Sequence, residues 1–426
     1  MTAEIGILNR SGVALAADSA VTIGGEGNQK VYNSANKLFS LSKIHPVGIM
    51  IYGGADFMGV PWETIIKTYR GKLGDAKFDT LQEYADHFIK FFVTDNRFCN
   101  NHTEYDLVHK ILYSELMDML NYEVNPKINE LTGTGEPVHN SDVEKILTSV
   151  LENRINKLNS NSEIIHNPTF VESFVDKHRN TILDLLRKVI NFELQTHVID
   201  SFVDFCTKLI KSDTFSKNHS GIVISGYGEN EIFPSLLDYK IEGIFLGELK
   251  AKESQPIKIN SYSDEVYSTA AMRPFAQKEM VYSFMNGLEP SLQDNIMQII
   301  YNTIEAYNQI LIKDFSIDKK FTEGVPNVIV ENIHRELDKI QSTYYAQPIM
   351  DILEVLPKEE LAAMAEALVN LTSFKRRISM EADSVGGPID VCVITKGDGL
   401  VWIKRKHYFE PELNYNFFKN YLKGID

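Results

Sequence analysis

Chemistry in this sequence can start at Thr2, provided that Met1 is removed. A threonine hydroxyl is a poor nucleophile at neutral pH and needs an adjacent base. A free α-amine, with a pKa near ~8, can be neutral and accept a proton. Only a residue at the very N-terminus carries both groups, and a small second residue such as Thr permits removal of Met1. No autocatalytic propeptide is then needed. Asp18, Lys37 and the pair Gly53-Gly54 stand at the ends of apolar runs. Taken singly, Asp18 reads as a turn cap after a strand, Lys37 as a surface lysine, and Gly53-Gly54 as a strand end.

Other chemistry-bearing groups are weaker. Gly226-Tyr227-Gly228 lacks the third glycine and the following helix of a nucleotide fingerprint, and reads as a β-turn. His102 and His109, with Glu104 and Asp106 nearby, lack the HExxH spacing of a zinc helix and read as a solvated helix face. Cys99, Cys206 and Cys392 are odd in number and far apart, with no CxxC pair, so neither a zinc ribbon nor a disulfide scaffold is indicated. Cys392 lies in an apolar run and reads as a small core residue. The expectation is therefore of no metal and no cofactor. Thiols of this kind fit a reducing cytoplasm. The net charge of −15 argues against nonspecific nucleic-acid binding. The basic clusters Lys375-Arg376-Arg377 and Lys404-Arg405-Lys406 read as solvated surface. No apolar run approaches the ~20 residues of a membrane span, and MTAEIGILNRSG does not read as a secretory signal.

These residues must be positioned by strands. The apolar runs 3–8 and 13–18, joined at Arg10-Ser11-Gly12, predict a hairpin, and 36–42 and 47–54 predict two more strands. IGGEGNQ (23–29) reads as a loop. A helix follows from Pro61 and another over about 80–95. Residues 97–217 carry long amphipathic patterns interrupted by polar stretches, and predict a mostly helical insertion whose aromatic and Met residues are core. Strand signals return at 219–226 and 231–245. Helices are expected at roughly 274–286, 290–313, 327–344 and 358–379, and a closing hairpin at 388–395 and 400–406 across Lys396-Gly397-Asp398-Gly399. The order strands, helices, strands, helices, strands suits sheets packed face to face with helices outside.

At this point the sequence resembles the proteasome-type N-terminal-nucleophile hydrolases, in particular proteasome core-particle β subunits and the bacterial ring peptidase HslV. The resemblance rests on Thr2-Ala3-Glu4-Ile5, the turn at Gly12, and Ala16-Ala17-Asp18-Ser19, with Asp18 sixteen residues after Thr2. It continues in Asn36-Lys37-Leu38-Phe39, in Tyr52-Gly53-Gly54-Ala55-Asp56, and in Asp383-Ser384-Val385-Gly386-Gly387 before IDVCVITKGDGLVWI. It is strongest over roughly the first 75 and last 50 residues and weaker over 219–310; the insertion has no counterpart.

The resemblance implies an α+β fold, a four-layer αββα sandwich, formed by 1–96 and 218–426 around the 97–217 insertion. It also implies a threonine peptidase or amidase. Thr2 would be the nucleophile. Lys37 would place a positive charge beside it, and Asp18 would hold Lys37 by a charge-assisted hydrogen bond. Gly53 and Gly54 N–H groups would bind the oxyanion, and Asp383 would orient the N-terminus. Substrates would be peptides, proteins or other amides, and the assembly a homo-oligomeric ring with a possible ATPase partner, without nucleic acid or membrane. The sequence departs from the pattern where active members carry serines: Ala276 and Gly386 stand at those positions. A catalytically inactive structural or regulatory ring subunit and a small-molecule amidohydrolase are the alternative readings.

Overall fold

The structure, a computed structural model, describes residues 2–23, 30–133, 137–378 and 385–422. It is a mixed α and β protein. Among the described residues a five-stranded sheet has the order β14 (Ala270–Ala276), β1 (Ala3–Asn9), β2 (Gly12–Ala17), β15 (Asp390–Thr395), β16 (Gly399–Lys404), antiparallel throughout. A second, larger sheet runs β13 (Tyr267–Ser268), β12 (Ile257–Ile259), β10 (Ser235–Phe245), β9 (Ser220–Gly226), β6 (Val47–Gly53), β5 (Leu38–Ser40), with β11 (Glu248–Glu253) also on β10. Short ribbons pair β3 (Val21–Ile23) with β4 (Lys30–Tyr32) and β7 (Asp56–Phe57) with β8 (Val60–Pro61).

Side-chain alternation along the strands explains why both faces of each sheet are covered. In β1, Ile5 and Ile7 pack with Ala14, Ala16, Val391 and Val393 under helices α8 (Glu279–Asn286), α11 (Gln347–Val355) and α12 (Lys358–Ile378). Leu8 faces the other way, with Val13, Leu15 and Ile394, onto Met50, Val223 and Leu236 of the second sheet. Val47, Ile49 and Ile51 of β6 face outward instead, with Ile222, Ile224 and Leu237. They meet α1 (Trp62–Leu73) and α2 (Leu81–Thr94) through Trp62, Ile66, Tyr69, Phe88 and Phe92. Gly6 marks how closely the sheets approach: a Cβ there would lie 2.7 Å from Leu236 Cδ1.

The 97–217 segment folds as helices α3 (Asn101–Met119), α4 (Asn125–Thr132), α5 (Asn140–Asn159), α6 (Phe170–Val189) and α7 (Thr196–Lys211). They share a core in which Leu112, Leu151, Phe170, Phe174, Phe202 and Phe205 are buried. Two buried charges fasten it to the sheet. Glu104 of α3 pairs with Lys177 (2.9 Å) and His178 (3.0 Å) of α6 and accepts from Leu246 N–H (3.2 Å) after β10. Lys250 of β11, with no exposed side-chain surface, donates to Leu209 O (2.9 Å) and Thr214 O (2.6 Å) and pairs with Glu242 (2.8 Å).

Two sequence expectations are corrected. The helix expected over 274–286 begins only at Glu279, and 270–276 is the strand β14 paired with β1. Pro274 lies in that strand and is tolerated because β14 is an edge: among the described residues its only ladder is to β1. The basic clusters are not simply solvated. Arg376 Nε donates to Gln277 Oε1 (2.7 Å), and Lys406 pairs with the buried Asp390. Between α8 and α11, α9 (Pro290–Phe315) and α10 (Val325–Gln341) form an antiparallel hairpin, tied at Gln293–Gln341 (3.0 Å) and Asn308–Thr322 (3.2 Å). Its outer surface leaves Ile299, Tyr307, Phe315, Phe321 and Val328 exposed. The described chain ends in α13 (Tyr415–Leu422), and none of its helices is long and apolar enough to cross a membrane.

Candidate active site

Thr2 stands one residue before β1 and is buried. The β1–β2 register places Glu4 opposite Ala17, so Asp18 arrives beside the chain start. The two segments then lock reciprocally: Asp18 N–H donates to Ala3 O (3.0 Å), and Ala3 N–H donates to Asp18 Oδ1 (3.0 Å). On the other edge of β1, Gln277 N–H donates to Thr2 O (3.1 Å). The Thr2–Ala3 peptide is thus held on one side by Gln277 N–H and on the other by the Asp18 carboxylate.

Asp18 is fully buried and accepts four hydrogen bonds. Ala3 N–H and Lys37 Nζ (2.6 Å) share Oδ1; Ala20 N–H (3.2 Å) and Gly386 N–H (3.0 Å) share Oδ2. Lys37 precedes β5, and its carbonyl accepts from Ile51 N–H (2.9 Å) of β6. This crosses from one sheet to the other: Asp18 belongs to the first, Lys37 to the second. For a lysine 6 % exposed, losing that partner would leave a buried charge unpaired, which is costly.

Thr2, Lys37, Gly53 and Gly54 line one cleft of about 310 Å³, whose other walls include Thr22, Asn36 and Trp62. Asp18 lies behind Lys37 rather than in the cleft. The two glycines are not equivalent. Gly54 N–H donates to His219 O (3.0 Å). Ile51, two residues before Gly53, sends its N–H to the β5 side, and the pairing Gly53↔Ser220 continues that alternation. Gly53 N–H is therefore the one on the cleft side. Gly53 has φ +77, and a Cβ there would lie 2.4 Å from His219 O, so glycine is required.

Glu4 is a group that sequence reasoning passed over. It is buried in the layer between the sheets, and neither carboxylate oxygen has a hydrogen-bond partner among the described residues. Burial raises its pKa well above the usual carboxylate range, opposed by Lys37 and reinforced by Asp18 and Asp238. Asp238 itself accepts from Tyr52 Oη (2.9 Å) and Ser254 Oγ (3.0 Å). The available signal is a carboxylate in the run 3–8 of β1, whose other residues are all apolar or glycine. Gln277, whose N–H and side chain tie Thr2 to Arg376, escapes the sequence pattern too, because 274–286 carries a helical signal there while the residue directly follows strand β14.

Asp383 lies outside the described residues, as do Met1 and Ser384. Ala276 ends β14 with φ +60, and Gly386 serves Asp18 through its N–H. Among the described residues, no group of three or more His, Cys, Asp or Glu side chains could hold a metal ion. The three cysteines are free thiols; Cys206 and Cys392 are buried, and Cys392 packs between the sheets. No family model matches this chain, and no curated protein matches it.

Proposed function

We propose that this chain is a proteasome-type N-terminal-nucleophile hydrolase with the four-layer αββα arrangement, cleaving peptide or other amide bonds through Thr2. The observation that carries the reading is the shared cleft of Thr2, Lys37 and Gly53, with Asp18 bonded to Lys37 from behind. With Met1 removed, the α-amine of Thr2 takes the hydroxyl proton as Oγ1 attacks the carbonyl carbon. The Lys37 cation favours the alkoxide and keeps the neighbouring amine from being protonated too readily. Gly53 N–H, fixed before the substrate arrives, receives the developing oxyanion. The resulting ammonium returns its proton to the leaving amine. Water, activated by the same amine, then releases the acyl group from Thr2. Asp383 is proposed to orient the N-terminus.

The same reading proposes a cytoplasmic, homo-oligomeric ring, with an ATPase partner as a further possibility of the type. The exposed apolar surface of the α9–α10 hairpin supports assembly. A structural or regulatory subunit of the same fold is the second reading. It is favoured by Ala276 and Gly386, which carry no side-chain group that could relay a proton. The test is labelling by an epoxyketone probe followed by intact-mass measurement. Covalent addition to a chain lacking Met1, abolished in Thr2→Ala, supports the hydrolase. A retained Met1, or equal labelling of Thr2→Ala, refutes it.

A further inference from the structure

The cleft at Thr2 does not end at Gly54. Val21, Thr22, Gly53, Gly54 and Ala55 also form one wall of a second, larger cleft of about 650 Å³. Its far wall is helix α3 of the insertion, through Thr103, Asp106, Leu107 and Lys110. Its floor comes from Ser216, Asn218, Ser220 and Glu242. The two clefts abut along these five residues, and in the groove they make together helix α3 of the insertion is the far wall of the second part.

The floor and the far wall are rigidly built. Ser216 N–H donates to Glu242 Oε1 (2.7 Å), and Glu242 is paired with the buried Lys250. That ammonium in turn holds the end of α7 and the loop after it through Leu209 O and Thr214 O. On the far wall, Glu104, the neighbour of Thr103 in α3, bonds to α6 and to the turn after β10. A helix fastened by a nearly buried carboxylate at that point cannot drift from the groove without leaving a charge unpaired. The lining mixes hydroxyl, amide and charged groups, among them Thr103, Asp106 and Lys110 on α3, with apolar side chains such as Met58, Leu107 and Ile111, and Lys110 has no ion-pair partner among the described residues.

The geometry points to the insertion as the wall of an extended substrate site, which accepts several residues of a polypeptide beyond the bond cleaved at Thr2. This rests on the proposed hydrolase reading and names its substrate class: an extended peptide with hydrogen-bonding side chains in the part that lies against α3, rather than a small amide. A small amide would fill the cleft at Thr2 and leave the larger part of the groove unused. An extended chain supplies backbone and side-chain partners along both.

The test uses the full chain and two substrates: a tetrapeptide with a fluorogenic leaving amide, and a quenched fluorescent 12-residue peptide containing the same four residues. Asp106→Trp and Lys110→Trp each put a bulky ring into the groove from an exposed helix position. Glu172→Trp, exposed on α6 and outside both clefts, is the control. The ratio of kcat/KM for the 12-mer to that for the tetrapeptide is expected to fall on the order of tenfold in the two groove variants, the size of a filled subsite. A ratio equal to the control's overturns the proposal. Anisotropy of a labelled 12-mer on the Thr2→Ala protein reads the groove without catalysis. Weaker binding in the groove variants than in the control supports the wall even where Thr2 proves not to be a nucleophile. Equal binding overturns it.

Discussion

Replacing Asp18 by Asn changes one atom of a fully buried side chain and should nearly unfold the protein. Both carboxylate oxygens are acceptors, each with two donors in front of it: Ala3 N–H and Lys37 on one side, Ala20 N–H and Gly386 N–H on the other. An amide has only one oxygen. Whichever way it turns, its NH₂ faces two donors. The less costly orientation keeps oxygen toward Lys37 and orphans the N–H groups of Ala20 and Gly386. At roughly 1–3 kcal/mol for each buried unsatisfied donor, that is about 2–6 kcal/mol. The uncompensated Lys37 charge adds to it. Typical total stabilities are only about 5–15 kcal/mol. Lys37→Met is the informative partner. It leaves the Asp18 carboxylate with three backbone N–H bonds, which stabilise the anion, so its cost in stability should be the smaller of the two although activity is lost in both. Urea denaturation followed by Trp62 and Trp402 fluorescence measures the order. Asp18→Asn within about 0.5 kcal/mol of the parent, a typical neutral surface change, would refute the reasoning, and so would Lys37→Met being the costlier substitution.

Two unprocessed residues placed before Thr2 convert the proposed base into an amide and should abolish peptide hydrolysis; full turnover with the extension intact by mass spectrometry would exclude the α-amine from the reaction. Gly53→Ala combines a φ of +77 with a Cβ 2.4 Å from His219 O, whereas Gly59→Ala meets a φ of +86 in open space. The first should cost well over the ~1–2 kcal/mol of the left-handed backbone alone, and the second about that much; equal losses in thermal melts would remove His219 from the explanation. For Glu4, the folded pKa lies above the unfolded one, so the unfolded chain gives up the proton first and stability falls as pH rises from the unfolded value toward the folded one. Glu4→Gln should therefore lose less stability than the parent between pH 5 and pH 8, and parallel profiles in chemical denaturation would show that Glu4 does not titrate as its burial requires.

Much of the site was legible because its parts sit at ends of strongly apolar runs. AEIGILN, GVALAA and VGIMIYG became strands with almost every residue buried; Asp18 follows the second, Gly53 ends the third, and Lys37 stands just before the short strand LFS. What was not legible depends on partners distant in sequence. AAMRPFA contains an arginine and a proline and shows no clean alternation, and it is a strand only because β1 offers it an edge. Arg376 in a run of basic residues looks like any helix C-terminal charge until Gln277 appears beside it, 99 positions away. The division of labour between Gly53 and Gly54 could not be read from a Gly-Gly pair, because it follows from which neighbouring strand each N–H faces. The second cleft was invisible for a similar reason: α3 reaches it only through the fold of the whole insertion.

The Asp18–Gly386 hydrogen bond spans 368 positions, and β2 pairs directly with β15. During synthesis the first hairpin therefore emerges long before the strand that completes its sheet. Loop-closure entropy delays such pairings further, since distant segments must meet before any contact rewards them. Until then β2 has an open edge, Asp18 lacks one of its four donors, and Lys37 has an incompletely fixed partner. Assembly of the cluster beside Thr2 is thereby tied to the arrival of the last hairpin. A ribosome-bound chain stalled before residue 385 should carry an unstructured site and resist probe labelling, while release of the finished chain switches it on. The order of strands in one sheet would then act as a timing device, keeping the proposed hydrolase silent while its own polypeptide is still exposed.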